Sequence, residues 1–178
     1  MVNGIYNLPK LQSAWAQRAF AGRLINGWQI AGVGVVQSGL PFSVYDDAGG
    51  AYYGSNTSRA SFAPGATVAS AKLSGSPESR LNAYFNTSAF VAAGNYFGDT
   101  ERSILRGPLE RNIDFSFIKE TPVHDTLNAE FRAEFFNILN FANFASPGDA
   151  LSSPSSFGVI STTVGNPRIV QFALKLNF

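Results

Sequence analysis

The sequence predicts an all-β fold, formed by antiparallel strands of a transmembrane β-barrel. Three observations support this prediction: apolar and polar residues alternate strictly over long stretches, the connections between these stretches differ greatly in length, and the chain ends inside one such stretch, NPRIVQFALKLNF. Strands of about 9–11 residues cross a bilayer when tilted, whereas strands of soluble sheets are mostly about five or six residues long. The alternating stretches are of the longer kind.

Alternation with a period of two places successive side chains on opposite faces of a strand. In the terminal stretch the apolar residues are Val170, Phe172, Leu174, Leu176 and Phe178, and the polar residues between them are Gln171, Lys175 and Asn177. The same pattern appears in GWQIAGVGVVQSG (27–39), RNIDFSFIK (111–119) and TLNAEFRAEFF (126–136). We therefore predict about five long strands, near 1–7, 26–38, 111–120, 126–137 and 166–178.

The connections between these strands are very unequal. Only the turn TPVHD separates the third and fourth strands, whereas 39–110 and 138–165 are long segments rich in Gly, Ser, Ala, Asn and Pro. Loops of this length are uncommon in compact soluble domains. Outer-membrane barrels, in contrast, carry short turns at one rim and long extracellular loops at the other. We therefore predict that 39–110 and 138–165 are such loops, so the connections favour a barrel over a soluble domain.

The segment SAWAQRAFAG (13–22) breaks the alternation. Ser13 is a suitable N-cap and Gly22 a suitable C-cap for a short helix. We predict an ordered helical turn here, between the first and second strands.

The two faces of the predicted strands differ in chemistry. One face carries phenylalanine and leucine side chains and suits lipid, since the chain offers little apolar material to cover it as a soluble core would require. The other face carries charges of both signs, which suits a watery or plugged lumen. We predict a lumen-facing, structural charge ladder of Asp114, Glu130, Arg132, Glu134 and Lys175. Because a free strand edge is too costly in hydrocarbon, we expect the last strand to close a ring against the first.

Composition excludes several classes of protein. The formal net charge is +1 without a basic run, so no electrostatic signal for nucleic acid exists. The absence of cysteine excludes a disulfide scaffold and cysteine-based zinc sites. No apolar stretch is long enough for a transmembrane helix, and MVNGIYNLPK does not resemble a signal peptide. Either the protein stays in the cytosol, or Met1 is not the true start.

The sequence offers no catalytic constellation. GVGVVQSG lacks the spacing of a phosphate-binding loop, and no G-x-S-x-G nucleophile motif occurs. His124 is the single histidine and lies in the predicted turn. Asp46, Asp47 and Asp99 could offer oxygen ligands to Ca²⁺, but they lack the alternating spacing of a calcium loop. We therefore expect no catalytic residues, no cofactor and no metal, and predict that the chain is not an enzyme.

Aromatic residues are frequent in the first long loop. They could stack on a sugar or peptide ligand, or they could simply pack within the loop and at the membrane interface. The candidates for ligand contact are Tyr45, Tyr52, Tyr53, Tyr84 and Tyr96. They also define an alternative function, a secreted or surface β-sandwich that binds carbohydrate through aromatic loops. Such a sandwich should have loops of moderate length at both ends.

Four stretches together resemble the C-terminal part of Oar-like TonB-dependent outer-membrane receptors. They are GWQIAGVGVVQSGLPFSV (27–44), FNTSAFVAAGNYFGDTERSILRGPLERNIDFSFIKE (85–120), LNAEFRAEFFNILNFANF (127–144) and FGVISTTVGNPRIVQFALKLNF (157–178). The final strand also looks like the C-terminal outer-membrane signal that the barrel-assembly machinery reads. In this sequence the signal corresponds to Phe172, Leu174, Leu176 and Phe178.

The resemblance implies a location in the bacterial outer membrane and import of a bulky nutrient, energised by the inner-membrane TonB complex. Receptors of this type also have a signal peptide, a plug domain and about 22 strands. The resemblance therefore implies that this chain is a C-terminal fragment or a truncated product. Its implied partners are membrane lipid, the rest of the barrel and plug, the assembly machinery, a nutrient ligand, and TonB through the missing N-terminal part, with no nucleic acid among them.

Overall fold

A computed structural model describes residues 1–12, 19–47, 58–124 and 126–178 of the chain. These residues form two compact units, each built from separate parts of the sequence. The first, which we call the sheet unit, comprises Met1–Val36, Arg111–Ala142 and Gly165–Phe178. The second, which we call the loop unit, comprises Gln37–Glu110 and Asn143–Val164.

The sheet unit consists of one five-stranded sheet and a short helix. The strands are β1 (Val2–Asn7), β2 (Trp28–Gln37), β3 (Glu110–His124), β4 (Leu127–Phe136) and β5 (Ile169–Asn177). Their spatial order is the same as their order in the chain. The pairs β1–β2, β3–β4 and β4–β5 are antiparallel. The prediction of an all-β, antiparallel fold is confirmed.

Strands β1 and β5 lie at the two opposite edges of this sheet, each pairing with a single neighbour among the described residues. The expectation that the last strand closes a ring with the first is therefore wrong for this chain. The physical reason is the number of strands, because transmembrane barrels have about eight or more. Five strands cannot curve far enough to bring their two edges together.

Strand β3 is longer than predicted. It continues through Thr121–His124, which the sequence pattern had placed in a turn. The pairing with β4 shifts at the end of the hairpin, where Leu127 is opposite His124 but Asn128 is opposite Pro122. This bulge accommodates a proline, which cannot donate a hydrogen bond to a regular ladder.

Register fixes which side chains share a face of the sheet. Phe131 of β4 lies opposite Leu174 of β5, and Ala133 lies between Phe117 of β3 and Phe172 of β5. The rings of Phe131 and Phe172 stack with centroids 6.1 Å apart. These residues belong to what we call the apolar face. Its paired residues in β3, β4 and β5 are Phe115, Phe117, Lys119, Thr121, Ala129, Phe131, Ala133, Phe135, Val170, Phe172, Leu174 and Leu176.

Helix α1 (Ala19–Ile25) leads into β2. It overlaps the end of the predicted helix 13–22, whose first six residues lie outside the described part of the chain. The helix extends past Gly22, and Gly27 provides the positive φ, +80°, at which the chain turns. A side chain at Gly27 would collide with the backbone oxygen of Glu120, so this close approach of the two strands requires glycine.

The loop unit has its own hydrophobic core, although the sequence pattern predicted only long loops. Phe85 is 1% exposed, and its ring centroid lies 5.2 Å from that of Phe157 and 5.7 Å from that of Phe90. Phe85 and Phe90 come from the first long segment and Phe157 from the second. Packing between the two segments therefore makes them one folded unit.

Short elements surround this core. Helix α2 (Val68–Ala71) begins with a capping box in which the Thr67 hydroxyl accepts from the Ser70 backbone and the Ser70 hydroxyl accepts from the Thr67 backbone. Two 3₁₀ turns span Pro77–Arg80 and Thr87–Ala89. The paired two-residue strands are Pro41–Phe42 with Leu105–Arg106, Tyr45–Asp46 with Ser58–Arg59, Ser61–Phe62 with Phe90–Val91, and Asn143–Phe144 with Thr163–Val164.

Candidate functional site

The face of the sheet opposite the apolar face carries the predicted charge ladder. Glu130 and Arg132 of β4 form an ion pair between the carboxylate and the guanidinium Nε. Lys175 of β5 lies directly opposite Glu130. Glu134 lies between Ser116 and Gln171. The structure therefore brings four of the predicted residues together on one face, because β4 and β5 are neighbours and their side chains alternate in the same register.

Asp114, the fifth predicted residue, lies on the same face, but its carboxylate accepts hydrogen bonds and forms no ion pair with the other four. Its carboxylate accepts from the backbone N–H of Asn137 at 2.9 Å and from the side-chain amide of Asn112 at 2.7 Å. Asn137 has a positive φ of 48°. Its side-chain amide donates to the carbonyl oxygens of Phe141 and Asn166 and accepts from the backbone N–H of Phe141. Asp114 thus supports the point where the chain leaves β4.

The apolar face is exposed over much of its area. Phe172 is 66% exposed and Leu174 is 69% exposed, values that a water-soluble sheet would normally avoid for contiguous apolar side chains. Leu176 belongs to this face as well, whereas Phe178 lies one residue beyond the end of β5. Nearer β2, an apolar groove of about 450 Å³ is lined by Leu8, Trp28, Ile30, Phe117, Phe131 and Ala133.

Lys119 is a cation on the apolar face, and it was not among the predicted site residues. Its Nζ donates to the backbone oxygen of Glu120 at 2.6 Å and to the Thr121 hydroxyl at 2.9 Å. The same nitrogen lies 6.0 Å from the Trp28 ring centroid. A lysine with an apolar stem and a bonded head, beside tryptophan, is typical of a membrane–water interface. The sequence did contain a signal for this position, because Lys119 is separated from Phe117 and Phe115 by steps of two residues and must therefore share their face.

The predicted ligand-contact tyrosines lie in different surroundings. Tyr84 is buried in the core of the loop unit, with the Arg80 guanidinium 4.6 Å from its ring centroid. Burial raises the pKa of Tyr84, an effect that the adjacent Arg80 charge only partly offsets. Tyr45 pairs with Arg59, and Tyr96 is 79% exposed. Tyr52 and Tyr53 lie outside the described residues.

The three aspartates considered for Ca²⁺ each hold a different segment of the loop unit. Asp46 accepts from the Ala93 backbone, Asp99 from the Phe62 backbone, and Asp47 from the Ser152 hydroxyl. Within the described ranges, no group of three or more histidine, cysteine or acidic side chains could hold a metal ion. In the same residues, no helix is long and apolar enough to span a membrane.

A comparison with protein families identifies the class of this sheet. The model of a family described as outer membrane beta barrel domain matches residues 1–171. The chain belongs to this outer-membrane β-barrel family. No curated protein and no solved structure matches it.

Family membership places the protein in the bacterial outer membrane, in contact with membrane lipid. It also accounts for strands of up to 15 residues and for a sheet with one strongly apolar face. The barrel interpretation therefore holds against the alternative of a secreted β-sandwich.

Proposed function

We propose that the chain is a wall segment of an Oar-like, TonB-dependent transporter that imports a bulky nutrient across the outer membrane. The role is transport and binding rather than catalysis. The observation that carries the proposal is the two-faced sheet, in which an exposed apolar face lies opposite a charged face on the same strands. A wall between lipid and a wide polar lumen needs this distribution.

The apolar face would contact lipid, and the charged face would line the lumen. A lysine or arginine on the lipid side costs about 2–4 kcal/mol near the middle of the bilayer. Turning Arg132 and Lys175 toward the lumen avoids that cost, and Glu130 is placed to compensate both. Charged side chains of both signs also suit a large, plugged barrel better than a small barrel filled by its own side chains.

The two segments of the loop unit support the orientation of the wall. One follows β2 and the other follows β4. Both strands are antiparallel to β3, because Gly27 approaches Glu120 whereas Gly32 approaches Asp114, so both segments leave from the same rim. The hairpin between β3 and β4 lies at the opposite rim. Because outer-membrane barrels carry long loops outside the cell, we assign the loop unit to the extracellular side and the hairpin to the periplasm.

The remaining partners follow from the same proposal. The barrel-assembly machinery would read Phe172, Leu174, Leu176 and Phe178 at the C-terminus. The rest of the barrel would pair with the free edges of β1 and β5. The plug would contact the charged face, and TonB would act through the N-terminal part of the complete receptor.

The test is nutrient depletion by the native bacterium. The gene encoding this chain is deleted in one strain and the TonB gene in another, and both are given a panel of oligosaccharides, peptides and metal chelates. We expect both strains to lose uptake of the same nutrient and the full-length gene to restore it in the first strain. The proposal would be contradicted if the first strain took up every nutrient normally. It would also be contradicted if the strain without TonB still took up the nutrient that the first strain cannot take up.

A further inference from the structure

A small cleft in the loop unit is lined by three cationic side chains. It has a volume of about 240 Å³, and its lining includes Lys72, Arg80, Arg106, Tyr84, Phe85 and Leu105. Tyr84, Phe85 and Leu105 are buried and give the cleft a fixed floor. Among the described residues, no acidic side chain belongs to the lining.

Arg80 is held rigidly by the backbone around it. Its Nη1 donates to the carbonyl oxygens of Leu73 at 2.7 Å and Tyr84 at 2.9 Å, and its guanidinium lies over the Tyr84 ring. Gly75, with φ of +116°, allows the chain to turn close to this side chain. Carbonyl partners orient the guanidinium without neutralising its charge. Its Nε donates to the Ser76 carbonyl oxygen at 3.5 Å, and the Tyr84 side chain is a further, neutral hydrogen-bond partner.

The other two cations of the cleft, Arg106 and Lys72, add positive charge to it. Arg106 donates from Nη1 to the Gly39 carbonyl at 3.3 Å, again a neutral partner. Lys72 is exposed, so its ammonium is held less firmly than the two guanidinium groups. Three like charges around one cleft repel each other, and a bound anion would remove that repulsion.

We propose that this cleft binds an oxyanion, either a phosphate or a carboxylate group. A fixed guanidinium held by neutral partners keeps its full charge and a planar shape that matches the two oxygen atoms of such a group, and a flexible lysine adds a point charge. The volume is below the roughly 300–1,000 Å³ of pockets for drug-sized molecules, so the cleft fits the anionic end of a larger ligand. This inference rests on the proposed function insofar as the anion belongs to the imported nutrient. Phosphate groups of outer-membrane lipid are the second source of the same chemistry.

The experiment measures anion binding by the full chain refolded in detergent micelles. Isothermal titration uses inorganic phosphate and citrate as probes, at low and at high ionic strength. The variants are Lys72→Gln, which removes an exposed ammonium, and Arg80→Gln, which removes the fixed guanidinium. Arg102→Gln is the matched control, because it removes an exposed positive charge from the same unit outside the cleft.

We expect one anion per chain and a dissociation constant that rises about tenfold in each cleft variant, because each loses a charged hydrogen-bond donor. Arg102→Gln should change it by less than about twofold, since an exposed charge acts weakly at a distance. Absence of binding, or an equal effect of Arg102→Gln and Lys72→Gln, would overturn the proposal.

A competition arm separates the two sources of the anion. Micelles of phosphorylated lipopolysaccharide that displace citrate from the wild-type chain support the site and assign its anion to the lipid. Loss of nutrient uptake in cells carrying Lys72→Gln supports the site and assigns its anion to the nutrient. Anion binding is measured without TonB and without uptake. The cleft can therefore prove unable to bind an anion while TonB-dependent transport is confirmed, and it can bind an anion while TonB-dependent transport is contradicted.

Discussion

The two units of this chain place their apolar residues in opposite ways. Among the described residues, eleven apolar side chains are buried, and all of them except Ala133 belong to the loop unit. The sheet unit instead exposes large apolar side chains, including Phe172 and Leu174. Water drives apolar groups inward, whereas lipid accepts them on the surface and penalises exposed polar backbone. One chain therefore contains a part adapted to water and a part adapted to lipid.

The comparison also explains how each unit is held together. The paired strands described in the loop unit are only two residues long, so the unit depends on a cluster of phenylalanine rings around Phe85. The sheet unit has almost no buried core, so it depends on the hydrogen-bond ladders between long strands. A substitution should consequently have different effects in the two units, depending on which interaction it removes.

The largest effect is expected at the centre of the loop unit. Phe85→Ala removes a ring that is 1% exposed and that contacts three other rings, so it should reduce the free energy of unfolding of this unit by about 3–5 kcal/mol. Denaturant unfolding of the chain in micelles, followed by near-ultraviolet circular dichroism, measures the change. Tyr96→Ala, at a ring that is 79% exposed, is the control and should cost little. An equal loss of unfolding free energy in the two variants would show that Phe85 does not form a stabilising core in the loop unit.

The next effect tests the lipid side of the sheet. Leu174→Lys in the assembled barrel should reduce stability by roughly 2–4 kcal/mol if Leu174 lies near the middle of the membrane, and by less nearer an interface. The neighbouring substitution Lys175→Leu changes the opposite face and should cost much less, since only its interaction with Glu130 is lost. Urea unfolding from lipid vesicles measures both. A higher cost for Lys175→Leu than for Leu174→Lys would reverse the assignment of the two faces.

The smallest effect concerns a carboxyl group in the loop unit. Burial raises the pKa of Asp149 above 3.8; a hydrogen bond with its own backbone lowers it, and repulsion by Asp47 raises it further. The protonated form is thus favoured in the folded state, and its stabilising effect is lost as the pH rises through the folded-state pKa. Asp149→Asn should therefore raise the unfolding temperature at pH 7, and this gain should disappear below about pH 3.8. A gain that is the same at both pH values would contradict the role of charge.

The sheet was largely predictable from sequence because β2, β3, β4 and β5 follow a regular alternation. Alternation identifies Leu174 and Lys175 as residues of opposite faces without any knowledge of the partner strand. The exact end of β3 was not predictable, since Pro122 normally argues against a strand and a bulge accommodates it here. The position of Lys119 could have been read from the same alternation.

The loop unit was much less predictable, for a physical reason. Its core depends on Phe85 and Phe157, which are far apart in the chain and lie in segments without periodicity. Its paired strands are only two residues long, too short to leave a pattern. The same reason hides the cationic cleft, because Lys72 and Arg106 are far apart in the chain and are brought together by the fold of the loop unit.

The most direct test of the central claim measures which face of β5 contacts lipid. The natural chain has no cysteine, so single cysteines can be placed and labelled without interference. One set replaces Phe172, Leu174 and Leu176, and the other replaces Gln171, Ala173 and Lys175. A fluorescent label is attached to each cysteine in the assembled barrel, and a quencher dissolved in the lipid phase is added. We predict strong quenching of the first set and little quenching of the second. Equal quenching of both sets, or quenching of neither, would contradict a sheet with one face in lipid.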